Sequence, residues 1–207
     1  MAERTSLDCS LMALDDGSFE DGVRRELAAL VRERGYERRE EPFQLSSGGW
    51  SHDYVDGKHA VADGVALRLA SQAVIDAVGA PFAAVGGPTM GADALAHGVA
   101  VLSGTAWFSV RKEPKGHGRR AWVEGARLAP GDRVVFVEDV VSTGGSLLRA
   151  VDRVTELGAI VVAAVTLLDR GPAAARRFAS AGIPYHPLLT WADIGIEPLP
   201  DDRVAPA

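Results

Sequence analysis

Short apolar runs alternate along this chain with longer amphipathic stretches. Val134-Val135-Phe136-Val137 and the β-branched stretch 160–168 read as strands buried on both faces, because a parallel strand covered on each side carries a near-continuous apolar run. Phe82-Ala83-Ala84-Val85, 106–110 and 185–189 read the same way. Between them, apolar residues recur at helical spacing over 21–34, where Val23, Leu27, Leu30 and Val31 share a face. The same spacing recurs over 61–78 (Val65, Leu69, Ala73 and Val74 inward), 92–101, 147–157 and 172–181. Gly35 and Gly158 stop two of these helices and Pro172 opens another. Phe43-Gln44-Leu45 and Tyr54-Val55-Asp56 read as short strands flanking 46–51. Asp16-Gly17 is a turn signal, so 1–17 is expected to be a disordered leader, and the Pro/Asp-rich 197–207 a frayed tail.

This alternation predicts an α/β fold: a mostly parallel central sheet with helices on both faces. Ligands in such sheets bind beyond the carboxyl ends of the strands. Four chemically suggestive segments fall there: 86–91, Arg111-Lys112, Glu138-Asp139 and Asp169-Arg170. The run from Val134 ends in two adjacent carboxylates, followed by Ser142-Thr143-Gly144-Gly145-Ser146 and a helix. A hydroxyl- and glycine-rich turn at a helix N-terminus points N–H groups at an anion, most naturally a phosphate. Carboxylates beside a phosphate repel it unless they hold hydroxyls or a divalent cation sits nearby. A sugar phosphate with free hydroxyls suits both ends of this segment; an ordinary capped strand–turn–helix is the alternative.

Composition narrows the field. A chain of 207 residues is one domain with room for a full α/β core. A net charge of −6 argues against a general nucleic-acid or membrane-surface binder, so neither partner is expected. The single cysteine, Cys9, fits a reducing cytoplasm. No apolar run approaches the ~18 residues of a membrane span, and 1–7 lacks the apolar stretch of a signal peptide, so a cytoplasmic protein is expected.

Residues 138–146 resemble the phosphoribosyl-pyrophosphate (PRPP) motif of type I phosphoribosyltransferases: an acidic pair, two residues, a hydroxyl, a small residue, Gly, any residue, then Ser or Thr. The resemblance implies that Glu138 and Asp139 hold the ribose 2′ and 3′ hydroxyls. It implies equally that Val140, Val141, Ser142, Thr143, Gly144, Gly145 and Ser146 surround the 5′-phosphate. On composition, 111–118 would be a solvated basic loop. Its order Arg-Lys-Glu-x-Lys-x-His-Gly instead resembles the mobile catalytic loop of orotate phosphoribosyltransferases, which most other type I transferases lack. By that resemblance Arg111, Lys112, Lys115 and His117 contact PRPP or pyrophosphate, and part of the loop reaches the partner's site in a homodimer with shared active sites.

Three further segments extend the likeness. Residues 43–56 form a hairpin turning at Gly48-Gly49, or, by resemblance, the N-terminal hood over the base; Ser46 stands where many members carry a ligand-contacting Lys. Gly87-Pro88-Thr89-Met90-Gly91 is a strand-to-helix turn or the pyrophosphate loop, with Gly87, Pro88 and Thr89 facing PRPP and Met90 where many relatives have Lys. Arg170, with Ser142 and Ser46, would meet orotate, whose anionic ring suits a fixed planar cation. Arg68 and His97 read as ordinary helix-surface residues.

The likeness spans 43–196 and implies a hood over about 18–60 and a core over about 61–196. The implied reaction is orotate plus PRPP giving orotidine 5′-monophosphate and pyrophosphate. Lys115, Arg111 and Asp139 would be catalytic, and Mg²⁺ would be held mainly by PRPP rather than by protein ligands. Two alternatives stay open: a transferase for a different base, and a non-catalytic PRPP-binding regulator. Orotate competition tests the first. The retained loop cations and the acidic charge argue against the second.

Overall fold

The computed structural model describes residues 16–45, 48–113 and 122–199, with 16–20 as backbone only. The chain runs α1 (Asp16–Leu30), a π-helical turn (Val31–Gly35), β1 (Tyr36–Gln44), β2 (Trp50–Val55), α2 (Gly57–Ala60) and α3 (Gly64–Val78). It continues β3 (Ala84–Pro88), α4 (Asp93–Ser103), β4 (Ala106–Val110), β5 (Val123–Gly125) and β6 (Arg133–Val141). Then come α5 (Gly145–Thr155), β7 (Ile160–Asp169), α6 (Ala173–Ser180) and β8 (Tyr185–Thr190). Six strands form one sheet in the order β5-β4-β3-β6-β7-β8, and β1 pairs β2 in a separate antiparallel ribbon. Within the large sheet only the β4–β5 pair is antiparallel.

The apolar runs explain why the sheet is covered twice. Successive side chains of a strand point to opposite faces. Val135 and Val137 of β6 therefore join the cluster under α1, α3 and α4, with Leu27, Val74, Leu95 and Val165. Val134 and Phe136 join the cluster under α5 and α6, with Phe108, Leu147, Val151 and Phe178. The α/β fold with a mostly parallel sheet and helices on both faces is as expected. Helix α4 follows β3 on one face and α5 follows β6 on the other, so the chain reverses direction between these neighbouring strands. That switch point is where open α/β sheets hold ligands.

Several boundaries differ from the expected ones, each for a local reason. The helix expected over 61–78 starts three residues later, at Gly64, because Asp63 caps it, accepting hydrogen bonds from the N–H groups of Val65 (2.9 Å) and Ala66 (3.0 Å). Val74 is buried and Leu69 and Ala73 pack against the core as expected, with Ala66, Ala70 and Ser71 buried beside them, but Val65 is 70% exposed. β3 runs on through 86–88, which looked like a turn, because Gly86 and Gly87 let the backbone approach the Phe108 and Val137 carbonyls. β1 extends through the charged 36–42, which no alternation announced; its pairing shifts register between Arg38 and Phe43. The three-residue β5 gave no periodic signal. Helix α1 starts at Asp16, inside the expected leader, and its Leu27 and Ala28, with Val31 of the π-helical turn, pack in the main core. The start of the tail is pinned, since Leu199 N–H donates to the Arg170 carbonyl (2.8 Å).

Arg24 on α1 holds Asp193, beyond β8, through two hydrogen bonds of 2.8 and 2.6 Å. Burial acts to raise the Asp193 carboxyl, but Arg24 and the Thr190 N–H and hydroxyl outweigh it and bring it down to about 2. A depressed carboxyl stabilises the fold above its unfolded value, and that gain is lost as pH falls from about 4 to 2. Arg24→Ala is therefore expected to destabilise the protein by about 1 kcal/mol at pH 7, allowing for solvent screening of a partly exposed pair. Urea unfolding at pH 7 and pH 2.5 checks this: the gap between wild type and variant should close at the lower pH.

Candidate active site

The acidic pair stays within a strand. Glu138 lies opposite Thr166 of β7, and both Glu138 and Asp139 are 8% exposed. The Thr166 hydroxyl donates to the Glu138 carbonyl (3.2 Å), fixing the backbone behind the pair. In front of it lies the turn after β3. A methyl group on Gly91 would overlap Glu138 Oε1 and sit 2.5 Å from Asp139 Oδ1, so glycine lets this turn close on the two carboxylates without displacing them. The β3 turn is braced from beneath: the Thr89 and Ser109 hydroxyls each donate to Asp93 at 2.7 Å. The Thr89–Met90 peptide is cis, and Met90 is 71% exposed.

Burial, with the neighbouring Asp139 second, pushes the Glu138 carboxyl well above its ordinary range, so its protonated form is favoured. Asp139 receives a cation instead. Lys58 Nζ stands 3.2 Å from Asp139 Oδ2 and 3.1 Å from Asp56 Oδ1. Burial pulls the Lys58 amine down, but Asp139 and Asp56 outweigh it and hold it above the usual lysine range. Asp56 also caps α2 by accepting from His59 N–H (3.2 Å). Gly57 lies directly against Asp139, where an added methyl would come within 2.9 Å of its Cβ.

The turn from Ser142 to Gly144 leads into α5 with Gly144 at φ +74°, a left-handed conformation that favours glycine. N–H groups at the start of α5 face outward there, as an anion site requires. Two arginines flank the turn. Arg177 donates to the Thr143 carbonyl (3.3 Å), and Arg149 donates to the Ser146 hydroxyl (3.1 Å). A cavity of about 550 Å³ joins this helix start to the end of β4, lined by Pro88, Arg111, Lys112, Trp122, Ser146 and Arg149 among others. Arg111 lies 3.5 Å from Glu124, and Lys112 is exposed.

On the far side of β6, Arg170 is 2% exposed and donates to the Asp53 carbonyl (2.9 Å) and the Ser51 hydroxyl (3.3 Å) of β2. Its buried Nε has no partner among the described residues, so the guanidinium keeps an unused donor. Asp53 in turn accepts from Tyr36 and Arg38, each at 2.9 Å.

The structure thus gathers Gly87, Pro88, Thr89, Glu138, Asp139, Val140, Val141 and the turn to Ser146 at one seam, with Arg111 and Lys112 at the edge of the cavity beside it. Ser46, Lys115 and His117 lie outside the described residues. His97 is exposed and meets Trp107 edge-on (4.5 Å), and Arg68 is exposed, as expected of surface residues. Lys58, Arg149 and Arg177 were missed. Two had a readable signal: Lys58 follows Asp56 by two residues at the end of the hood segment, and Arg149 sits one helical turn after Gly145. Arg177 is brought in only by the packing of α6.

A switch-point crevice combining an acidic pair, a helix-start anion turn and a second glycine turn defines a protein built to hold a phosphorylated sugar. Comparison with known proteins agrees. The family described as "Phosphoribosyl transferase domain" matches residues 66–179. Orotate phosphoribosyltransferase of Methanothermobacter thermautotrophicus is 41% identical, the match covering 83% of this chain and 93% of that protein. That of Rhodopirellula baltica is 37% identical, covering 86% and 98%. The crystal structure of Mycobacterium tuberculosis orotate phosphoribosyltransferase in complex with PRPP superposes with a TM-score of 0.70 at 34% identity, over 84% of this chain and 99% of that one. The chain belongs to the phosphoribosyltransferase family, in its orotate phosphoribosyltransferase branch.

Asp169, beside Arg170, is 2% exposed, and burial raises its carboxyl to about 6, although Gly171 N–H and the Tyr185 hydroxyl pull it the other way. A raised carboxyl favours the fold while protonated, so its contribution is complete below about pH 4 and is lost as pH climbs through about 6. Asp169→Asn should remove this slope and gain about 1–3 kcal/mol at pH 7.5 relative to wild type. Urea unfolding curves at pH 4.5 and 7.5 test it; an unchanged slope would show that the group titrates near its unfolded value.

Proposed function

We propose that the protein transfers phosphoribose from PRPP to orotate, forming orotidine 5′-monophosphate and pyrophosphate in pyrimidine biosynthesis in the cytoplasm. The observation that carries this is the closure of the Gly91 turn on Glu138 and Asp139, one strand away from the arginine-flanked turn at Ser142 to Ser146. A diphosphate turn, a pair of hydroxyl acceptors and a phosphate turn then follow one another in the order that PRPP presents its groups.

In this reaction orotate N1 gives up its proton and bonds to the ribose anomeric carbon, while the bond from that carbon to the diphosphate oxygen breaks. Pyrophosphate leaves with the electron pair, and the released proton goes to it or to solvent. No protein nucleophile is required. Glu138 and Asp139 accept the ribose hydroxyls and fix the sugar. The turn to Ser146, with Arg149 and Arg177, binds the 5′-phosphate. Arg111, Lys112, Lys115 and His117 carry the charge of the departing pyrophosphate. Arg170, with Ser142 and Ser46, faces the anionic base.

Mg²⁺ fits the donor set as a substrate-held ion. PRPP would hold the ion mainly through its own oxygens, with Glu138 and Asp139 facing the ribose hydroxyls beside it. The ion would neutralise diphosphate charge when bound with PRPP. Exposed Val101, Leu102 and Trp107 along α4 and β4 give a second copy of the chain an apolar face to cover, in support of the homodimer.

Pyrophosphate release with Mg²⁺ and PRPP, across orotate, uracil, hypoxanthine and adenine, tests the reading. Orotate alone should support turnover, and release with another base in its place would reassign the acceptor. Lys115→Ala should lower kcat by about 10²–10³ with a much smaller change in PRPP binding. Asp139→Asn should lower kcat/KM by about 10²-fold through loss of ribose orientation. If the sites are shared, mixing the two inactive variants should restore about a quarter of wild-type activity through mixed dimers. Mixtures that stay inactive would mean that each site is built from one subunit.

A further inference from the structure

The sequence lacks lysine at two positions, 46 and 90, where many relatives place one against the ligand. Lys58 occupies a position that answers this lack. It sits at the second residue of α2, held by Asp56 at 3.1 Å and reaching Asp139 Oδ2 at 3.2 Å. The other oxygen of the same carboxylate lies 2.5 Å from where a Gly91 methyl would be. One carboxylate therefore spans the short gap between the Lys58 ammonium and the turn that carries Met90. The lysine side chain is 45% exposed, so its stem has room to turn. Gly57 lets α2 lie directly on Asp139, which sets the ammonium at this depth.

The chemistry of PRPP places a second anion there. Its diphosphate is bonded to the anomeric carbon, next to the carbon whose hydroxyl the acidic pair would accept. Once that hydroxyl takes up Asp139, the ammonium loses part of its partner and has the diphosphate beside it.

We propose that Lys58 is a PRPP-binding residue that supplies from the hood the positive charge missing at Met90 and Ser46, pairing with Asp139 in the free protein and with the diphosphate in the complex. This rests on the phosphoribosyl-transfer reading above. The ion pair also gives a reason for keeping the hood helix against β6: it stores a cation where the incoming anion needs one, without leaving two carboxylates uncompensated in its absence.

The test uses the full chain with Mg²⁺ and PRPP, comparing wild type, Lys58→Ala, Lys58→Gln, Lys58→Arg and the double variant Lys58→Ala/Met90→Lys. PRPP affinity is read by calorimetry, and kcat and both KM values by pyrophosphate release. Lys58→Ala and Lys58→Gln should each weaken PRPP binding about 10- to 100-fold, the scale of a charge-assisted contact, and leave the orotate KM within about threefold. Lys58→Arg should recover most of the affinity. The double variant should regain about tenfold over Lys58→Ala, because a lysine at 90 puts the charge back from the other side. A merely structural Lys58 would not be rescued from position 90. Should Lys58→Ala fail to fold, the polar, uncharged Lys58→Gln carries the comparison, with Lys58→Gln/Met90→Lys as its rescue. Wild-type affinity in Lys58→Gln, or no gain from Met90→Lys, overturns the inference while leaving the transferase reading intact; wild-type protein that binds no PRPP overturns both.

Discussion

The buried pair Glu138–Asp139 is the constraint around which the rest of this molecule is arranged. Two carboxylates that both touch one Gly91 position lie within a few ångströms of each other, and charging both would cost about 3–4 kcal/mol at the effective dielectric of a protein. A surface salt bridge is worth about 0–1 kcal/mol and could not absorb that alone. The structure uses two devices instead. Burial favours the protonated form of Glu138, and Lys58 pairs with Asp139. Both depend on close approach of backbone, from Gly91 on one side and Gly57 on the other, so neither glycine can be exchanged without moving an acidic side chain.

The same seam explains why the sheet is built as it is. β3 and β6 are neighbours, and their connections leave on opposite faces, which opens a crevice at their carboxyl ends. Gly86 and Gly87 press β3 onto the Phe108 and Val137 carbonyls, so its turn emerges level with the acidic pair. Asp93 then fastens that turn through Thr89 and Ser109, from α4 and β4. The valines and phenylalanine of β6 serve stability, filling the clusters on both faces, and thereby make the strand that carries the carboxylates rigid.

Much of this was legible in the sequence because the strongest signals are local. The apolar run into Glu138-Asp139, the glycine turns and the helical spacing of 147–157 each have one short-range physical meaning, and the sheet and its ligand edge follow from them. What failed was what depends on distant neighbours. Val65 lies at the first turn of α3, just after its Asp63 cap, where it does not reach the core that Leu69, Ala73 and Val74 meet, and periodicity alone does not mark that end. The charged 36–42 gave no strand signal because that ribbon is ordered by pairing with β2 and by ring contacts, Phe43 on Tyr54 with Arg39 over both, rather than by burial. Arg177 was invisible as a site residue for the same reason: its partner Thr143 lies 34 residues away in the chain.

The β1–β2 ribbon gains little from apolar burial, and a two-stranded ribbon is marginal by itself. Its position must come from elsewhere, and the contacts that fix it are polar. Arg170 reaches from the end of β7 to the Asp53 carbonyl and Ser51 hydroxyl, and Lys58 reaches from α2 to Asp139. Arg170 ties the ribbon to the end of β7, and Lys58 ties the helix that follows the ribbon to Asp139. A buried guanidinium with one donor unused is costly unless something else rewards its burial. Holding the β1–β2 ribbon in register with the end of β7 is such a reward, and Arg170 provides it through its contacts to Asp53 and Ser51.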